Sequence, residues 1–253
     1  MLRNYIKIAW RYLLKDRMHS VINVGGLSIG IAVALLVGLW IWDELGFDTY
    51  NKNYKTITQI ARKEISNGEV YISAGSNHFP VPLAGELRKN YSNLFKRVAL
   101  VSESGSHVIG FNDNRLKASA IYVEKDFTDI FTEKLIAGST AGFSDPNTIL
   151  IDQSAARSLF GPVADPIGKT VKLDNTQPLK VIGVYEDFPL NTSFSGVGLI
   201  CPFDLLVNTY PELKASLNDW NNSSFIIYTD LQPGVSNVSD GIPSEPAHKT
   251  IPG

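Results

Sequence analysis

The longest apolar stretch of the chain covers residues 21–42 and contains no charged side chain. As an α-helix it would extend about 33 Å, slightly more than the hydrocarbon core of a bilayer. Because water solvates so long an apolar run poorly, the pattern predicts a transmembrane helix, to which we assign residues 20–45. The run exceeds the roughly 7–15 apolar residues of a cleaved signal peptide, and no small-x-small cleavage site follows Trp42, so we expect the helix to be retained.

A different pattern precedes this helix, in residues 1–19. Four basic side chains recur four residues apart and form one stripe: Arg3, Lys7, Arg11 and Lys15. A fifth basic residue, Arg17, follows the stripe. Apolar side chains lie largely away from the stripe, as is typical of an amphipathic helix in the membrane interface. The alternative is that these charges only set the topology. Both interpretations keep the basic residues in the cytoplasm and place the domain after the membrane helix outside it.

The apolar helix carries a second pattern, in which small residues recur every four positions: Gly26, Gly30, Ala34 and Gly38. Such a stripe forms a smooth groove that lets another membrane helix approach closely. Glycine and alanine are also common in membrane helices, so a chance recurrence is the competing explanation. We favour packing against a partner helix, because four small residues in register lower helix stability without a compensating contact.

Beyond the membrane helix, residues 46–232 alternate short β-prone runs with short helical patterns, which predicts an α+β fold rich in strands. Asn67-Gly68 between two β-prone runs predicts a hairpin, and Asp152 is expected to cap a helix. Strands are predicted for residues 56–65, 70–74, 97–102, 107–111, 116–123, 148–151, 170–173, 180–185, 194–201 and 224–230. Helices are predicted for residues 83–90, 125–131, 153–160 and 203–209. Residues 233–253 are rich in Pro, Gly and Ser, which predicts a disordered tail.

The charge distribution narrows the classes of partner. The net charge of −2 combines a basic start, with five basic and one acidic residue among residues 1–20, with a more acidic remainder. A short basic N-terminal segment followed by a mildly acidic remainder argues against nucleic acid as the main partner. Cys201 is the single cysteine, so no intramolecular disulfide can form. The four histidines are scattered without the spacing of a zinc site.

No motif of catalysis or nucleotide binding emerges from the sequence. Gly168-Lys169-Thr170 resembles the end of a phosphate-binding loop, but the first glycine of that motif would fall on Val163. The segment also runs from a predicted turn into a strand, whereas a phosphate loop runs from a strand into a helix. GxSxG and HExxH are absent from the sequence. We therefore expect no enzymatic activity, no metal and no cofactor bound by the chain itself.

Several short motifs together resemble one family of membrane proteins. Residues 4–15 (NYIKIAWRYLLK) and 24–31 (VGGLSIGI) are similar to the N-terminus of MacB/FtsX-type permeases, the membrane subunits of a class of ABC transporters. Residues 42–50 (WDELGFDTY) resemble the start of the external domain in that family. The motifs most typical of its MacB-like periplasmic core domain are SAARSLFG, DPIGKT and VIGVYEDFP, in residues 154–161, 165–170 and 181–189.

This resemblance implies properties that the residues alone do not. It implies an external mixed α/β domain of two subdomains in a bacterial inner membrane protein, with ATP bound only by a partner ABC ATPase. Motion driven by the ATPase would pass through the membrane helices to the external domain, for efflux or export. The further partners implied are other permease helices or a second permease copy, a periplasmic adaptor protein and the lipid bilayer.

The sequence also departs from the family pattern. Members have four or more membrane helices, with the external domain after the first, whereas this sequence contains one apolar run of that length. We therefore expect a truncated form of such a permease. The alternative is a stand-alone, signal-anchored periplasmic binding or adaptor module without transport activity.

Overall fold

A computed structural model describes residues 17–66, 69–72, 78–131, 134–162 and 164–235, together with Asn4, Tyr5, Lys7, Ile8, Arg11 and Lys15. The chain divides into two compact units, Met1–Phe47 and Asp48–Gly253. The first unit contains the long apolar helix, and the second contains every strand that the structure describes.

Helix α1 covers Arg17–Leu45, and none of its residues is buried. Its 29 residues would extend about 43 Å, which matches a bilayer including its headgroup regions. Among the residues that the structure describes, this is the one helix long and apolar enough to cross a membrane. The helix contains the predicted span of residues 20–45, because an uninterrupted apolar run without proline leaves no reason for an earlier end.

The external unit is built mainly of strands. They are β1 (Ile57–Gln59), β2 (Lys63–Ser66), β3 (Glu69–Ile72), β4 (Phe79–Pro80), β5 (Phe95–Ser102), β6 (Gly105–Phe111), β7 (Asn114–Val123), β8 (Leu135–Gly138), β9 (Thr148–Asp152), β10 (Thr170–Leu173), β11 (Gln177–Tyr185), β12 (Val197–Pro202) and β13 (Ser223–Leu231). Its helices are α2 (Val81–Asn90), α3 (Phe127–Ile130), α4 (Gln153–Phe160), α5 (Phe203–Thr209) and α6 (Pro211–Ala215). This mixture confirms the predicted fold class.

Six of the strands close into a barrel in the order β7, β12, β9, β11, β10 and β6, and β6 pairs back with β7. The pairs β7–β12 and β9–β11 are parallel, whereas the other four pairs of the ring are antiparallel. Closure gives each ring strand a paired neighbour on both sides, so no strand of the ring is an edge strand on which other chains could pair.

An antiparallel extension leaves the barrel at β7. Strand β5 pairs with β7 through Val101 and Val123, and β13 and then β1 continue the sheet. Strand β4 also pairs with β13, and β8 pairs with β11. Strands β2 and β3 form a separate two-stranded hairpin. The described strands therefore belong to one large sheet, which combines a barrel and an extension, and to this hairpin.

Three hydrophobic clusters hold the external unit together. The first draws side chains from all six barrel strands and from α4, which places it inside the ring: Ile109, Tyr122, Ile151, Val171, Val181, Leu199 and Leu159 are among its members. The second packs α3 against the outer face of β7, β9 and β12. The third packs α2 and α5 against β5 and β13. Barrel and extension are therefore joined by shared apolar packing as well as by hydrogen bonds.

The prediction of one strand over residues 56–65 is wrong. The structure contains two strands there, β1 and β2, which have unrelated partners: β1 pairs with β13 and β2 pairs with β3. A run of β-prone residues cannot show this break, because the partner of β1 lies about 170 residues away. The pairing of Ser66 with Glu69 confirms the predicted hairpin, and the turn residues Asn67 and Gly68 lie outside the described residues.

Three further elements, β4, β8 and α6, were not predicted, and β4 comprises only two residues. Strand β8 occupies four residues at the edge of β11 and α6 five residues after a proline, so both are too short for a periodic pattern. Strand β12 begins at Val197 rather than at residue 194, because Phe194 and Thr192 accept turn hydrogen bonds just before it. Most of the predicted tail, from residue 236 onward, lies outside the described residues.

Candidate functional site

The external unit begins with residues 48–56, which we call the root segment because they directly follow the unit that contains α1. Asp48 has a φ of 57°, in the left-handed region that aspartate tolerates better than most residues. Its N–H donates to the Asn191 carbonyl at 2.9 Å. Its carboxylate accepts from Thr192 Oγ1 at 2.6 Å, from Ser193 N at 2.9 Å and from Ser193 Oγ at 2.6 Å. These contacts, the Asp48 clamp, fix the root segment to the loop before β12.

A chain of aromatic rings continues from the root segment into the core. The ring of Tyr50 lies edge-on to Phe188, with centroids 5.9 Å apart. Phe188 lies 5.7 Å from Phe194, a buried ring on the same loop. Phe194 in turn contacts Phe127 on α3 and Tyr228 on β13, at 5.2 and 5.6 Å. A displacement at Tyr50 therefore meets close-packed rings, which do not compress readily.

A second attachment joins the root segment to the centre of the antiparallel extension. Thr56 Oγ1 donates to the buried carboxylate of Asp230 on β13 at 2.8 Å. Arg97 on β5 donates to the same carboxylate at 3.2 Å, which offsets the cost of burying its charge. Immediately after, Thr58 and Thr229 share a hydrogen bond of 2.7 Å where β1 pairs with β13. The root segment is thus bound to the loop before β12 at one end and to β13 at the other.

Two carboxylates meet at the start of α4. Asp152 caps this helix as predicted, since its side chain accepts from Ala155 N at 2.6 Å. Asp187 accepts from Ser154 N at 3.0 Å and from the Ser154 hydroxyl. Burial raises the pKa of Asp152 to about 6; the hydrogen bond from Ala155 N lowers it, and the neighbouring charge of Asp187 raises it further. The hydrogen bonds between Ser154 and Asp187 therefore fix the loop after β11 to the start of α4.

We expect Asp152 to make stability depend on pH. Its pKa in the folded protein, about 6, lies above the ordinary value of 3.8, so the folded state binds the proton more tightly than the unfolded state. The resulting stabilisation is present below about pH 4 and is lost as the pH rises through 6. Asp152→Asn keeps a capping oxygen without the charge. Because the group is partly exposed, we expect its gain over the wild type to be only about 1 kcal/mol at neutral pH.

Urea unfolding of the detergent-solubilised full chain, followed by circular dichroism at several pH values, measures this difference. The gain of Asp152→Asn should disappear in acid, where the aspartate is protonated in both states. A difference between the two proteins that stays constant from about pH 4 to 7.5 would contradict the titration of Asp152.

The small-residue stripe lies along α1 without a protein neighbour in the described chain. A Cβ added at Gly26, Gly30 or Gly38 would meet no atom within 4 Å, and Ala34 is exposed. The groove on this helix is therefore open in a single copy of the chain. Its predicted role in packing against another helix stays a prediction.

The predicted basic stripe falls on residues of which the structure describes only some. Lys7, Arg11 and Lys15 are helical and exposed, and Arg17 is the first residue of α1. Arg3 lies outside the described residues. The helical conformation at Lys7, Arg11 and Lys15 places these three charges on one face, as their spacing requires. Their role at the interface or in topology stays a prediction.

The Gly168-Lys169 segment forms a turn that leads into β10, in agreement with the turn predicted there. Gly168 has a φ of 80° and donates its N–H to the Val181 carbonyl at 2.8 Å. The ammonium of Lys169 lies 5.1 Å from the ring centroid of Phe160 and 5.5 Å from that of Phe111. The lysine that resembles a phosphate ligand in the sequence is thus held over two aromatic rings.

A cleft of about 380 Å³ opens where the parallel strands β7 and β12 end. This is the edge at which parallel strands commonly hold ligands. Arg88 and Lys125 are the cations that line it. Arg88 donates to the Val98 carbonyl at 2.8 Å and pairs with Glu124. Glu124 also accepts from Leu100 N at 2.8 Å. These charges attach α2 to β5, and we assign no ligand to the cleft.

The comparison with protein families decides the identity of the external domain. The model of the MacB-like periplasmic core domain matches residues 20–239. The chain belongs to this family. The match includes the root segment, the whole barrel and the antiparallel extension, so the MacB-like resemblance of the sequence motifs is confirmed. Membership of this family supports a role as a transporter component rather than as a typical enzyme.

Solved structures agree with the family at the level of the fold. A domain from a permease protein of Porphyromonas gingivalis is 22% identical with a TM-score of 0.59, and the match covers 75% of this chain and 78% of that one. The periplasmic region of MacB from Actinobacillus actinomycetemcomitans is 18% identical with a TM-score of 0.51, covering 76% and 79%. A search of curated protein sequences found no significant match. Together with the family match, α1, which is the one candidate membrane span among the described residues, indicates a membrane-anchored protein.

Sequence reasoning missed the Asp48 clamp. Its donors, Thr192 and Ser193, are about 145 residues from Asp48, and no spacing rule connects them. The one available signal came from two of the motifs that resemble the MacB-type family. Asp48 lies in the motif of residues 42–50, and the motif of residues 181–189 ends three residues before Thr192. That signal marks both segments but does not show that they touch.

Proposed function

We propose that this MacB-like chain acts in the membrane subunit of an ABC transporter of the MacB/FtsX type. In this role it transmits motion driven by a partner ABC ATPase from the membrane helix to the periplasmic domain, for efflux or export. The N-terminus would lie in the cytoplasm of a bacterial cell, with the MacB-like domain on the outer side of the inner membrane. ATP would be bound by the partner ATPase alone.

The observation that carries this proposal is the attachment of the root segment. Within a few residues after α1 the chain is bound to the loop before β12 by the Asp48 clamp, and to β13 by Thr56 and Asp230. One attachment leads into the barrel and the other into the antiparallel extension. A pull or a rotation applied through the backbone at Asp48 would therefore reach both parts of the sheet, as a force-transmitting element requires.

The small-residue stripe supplies the second requirement, a face through which α1 can receive motion from other helices. The Gly26–Gly38 groove is open in the single chain, and close helix approach is the usual use of such a groove in a membrane. The sibling helices of a permease, or a second permease copy, are the partners that fit it. A periplasmic adaptor could contact the outer domain.

We expect Gly30→Leu to disrupt assembly with the ATPase. A leucine at this position fills the groove and keeps a partner helix away. The tagged chain is purified from its native membranes in mild detergent, ATP hydrolysis in the eluate is measured, and ABC ATPase peptides are identified by mass spectrometry. The wild type should retain an ABC ATPase, and Gly30→Leu should retain several-fold less. Gly25→Leu is the matched control, since it adds the same side chain to α1 away from the stripe.

Equal retention of the ATPase by Gly30→Leu and Gly25→Leu would overturn the role of the stripe. Absence of any ABC ATPase from the wild-type eluate would favour the alternative function, a signal-anchored periplasmic binding or adaptor module. The single candidate membrane span in the described part of the chain is the observation that favours this alternative.

A further inference from the structure

The loop that holds the Asp48 clamp displays an unusual apolar side chain. Leu190 is 91% exposed, more than any other large apolar side chain in the part of the chain that the structure describes. Single exposed leucines are common on protein surfaces and by themselves carry no meaning. The setting of this one differs, because the residues on both sides of it are held in place.

Both flanks of Leu190 are anchored to the external domain. On the preceding side, the ring of Phe188 packs against Tyr50 and Tyr185 at 5.9 and 5.2 Å. On the following side, Thr192 and Ser193 donate to the carboxylate of Asp48. The loop therefore holds an apolar side chain in water at a fixed position, with no folding contact that would account for it.

Chain connectivity limits how far this side chain can lie from the end of α1. Leu45, the last residue of α1, and Asp48 are three residues apart, which limits their Cα separation to about 11 Å. Asn191 accepts a hydrogen bond of 2.9 Å from Asp48 N, so the preceding Cα, that of Leu190, lies within about 10 Å of Asp48. Together these limits keep the Leu190 Cα within about 21 Å of that of Leu45, the end of the helix that we assign to the membrane.

The root segment carries the side chains that an interface with lipid favours. Lys52, Tyr54 and Lys55 are exposed on it, and the Lys55 ammonium lies 5.7 Å from the Tyr54 ring centroid. Tyrosine is enriched at the headgroup level, and lysine is attracted to anionic headgroups. An exposed leucine on a loop that is bound to a segment with exposed tyrosine and lysine has the composition expected of a surface that rests on a bilayer.

We propose that Leu190 inserts into the outer leaflet of the membrane, with Lys52, Tyr54 and Lys55 at the headgroups beside it. The occupant of this surface is the lipid bilayer itself. In addition to α1, this contact attaches the MacB-like domain to the membrane through the loop that is bound by the Asp48 clamp. The proposal rests on the membrane anchoring of the chain by α1, and it requires neither an ATPase nor a cargo.

The test is lipid-borne quenching of a fluorophore at position 190. Leu190→Cys in the full chain is labelled with the environment-sensitive dye NBD and reconstituted into vesicles of phosphatidylethanolamine and phosphatidylglycerol that contain a doxyl-labelled lipid. Val108→Cys is the matched control, because Val108 is apolar, 38% exposed and at the opposite end of the barrel from Tyr185. Leu36→Cys within α1 is the positive control. The buried Cys201 is checked by labelling the wild type.

Insertion predicts blue-shifted NBD emission at position 190 and quenching by the doxyl lipid at least about twofold stronger than at position 108. Quenching equal to that at position 108 would overturn the proposal. Blue-shifted emission without lipid quenching would also overturn it, since it would show that another protein copy covers position 190. Because the vesicles hold only this chain, the outcome is independent of whether an ATPase co-purifies.

Discussion

Phe194→Ala is expected to lower the free energy of unfolding of the MacB-like domain by about 4 kcal/mol, the cost typical of removing a buried aromatic ring. Phe194 is buried, and four rings surround it: Phe127, Phe131, Phe188 and Tyr228, with centroids 4.8–5.7 Å away. Alanine would leave a cavity that these rings cannot fill without losing their own contacts.

Urea unfolding of the full chain in detergent, followed by near-ultraviolet circular dichroism, measures this loss. Phe194→Leu retains most of the volume and should cost only about 1–2 kcal/mol, mainly through lost ring contacts. Phe160→Ala is a matched control outside the aromatic chain, because Phe160 is only partly buried and should cost less. A loss below about 1 kcal/mol for Phe194→Ala would show that the cluster is loosely packed and transmits no displacement from Tyr50.

The second large effect is expected at Asp48. Alanine removes the acceptor of three hydrogen bonds, from Thr192 Oγ1, Ser193 N and Ser193 Oγ. Hydrogen bonds to a charged group contribute about 1.5–3 kcal/mol each, but these share one carboxylate and are partly open to water, so we expect about 2 kcal/mol in total. A non-glycine residue other than Asn or Asp at a φ of 57° adds about 1 kcal/mol of strain.

Three variants separate these contributions. Asp48→Gly removes the carboxylate without strain and should lose about 2 kcal/mol, and Asp48→Ala about 3 kcal/mol. Asp48→Asn keeps an acceptor oxygen and tolerates the positive φ, so it should lose less than about 1 kcal/mol. Hydrogen exchange at the amide of Ser193 reports the clamp directly, and it should accelerate in the glycine and alanine variants alone. Unchanged exchange in Asp48→Gly would rule out the clamp as the anchor of this loop.

Much of the local structure was predictable because its causes are local. The pattern at Asp152 predicts a capped helix, and the structure shows its carboxylate accepting from Ala155 N. The bounds of Phe203–Thr209 were predicted to the residue. Where the cause is distant, prediction failed. The division of residues 56–65 depends on β13, which pairs with β1 over Ile57–Gln59, whereas β2 pairs with β3.

Of the two features of the candidate site, the small-residue stripe was predictable from the sequence and the Asp48 clamp was not. The small-residue stripe is a property of α1 alone, and its recurrence every four positions is visible in the sequence. The Asp48 clamp joins two segments that are extended or turned, without periodicity, and its partners are serine and threonine residues of a kind present throughout the chain. Nothing in their composition distinguishes Thr192 and Ser193 from the others.

The sequence by itself determined that this chain has one long apolar helix followed by an α+β domain of MacB-like type. It did so because apolar run length, helix caps and short motifs act over a few neighbouring residues. Only the tertiary structure decided that β6 closes a barrel with β7, that Asp230 is buried beside Thr56 and Arg97, and that Leu190 stands exposed beside the clamp. These features arise from contacts between residues far apart in the chain, and the fold alone brings such residues together.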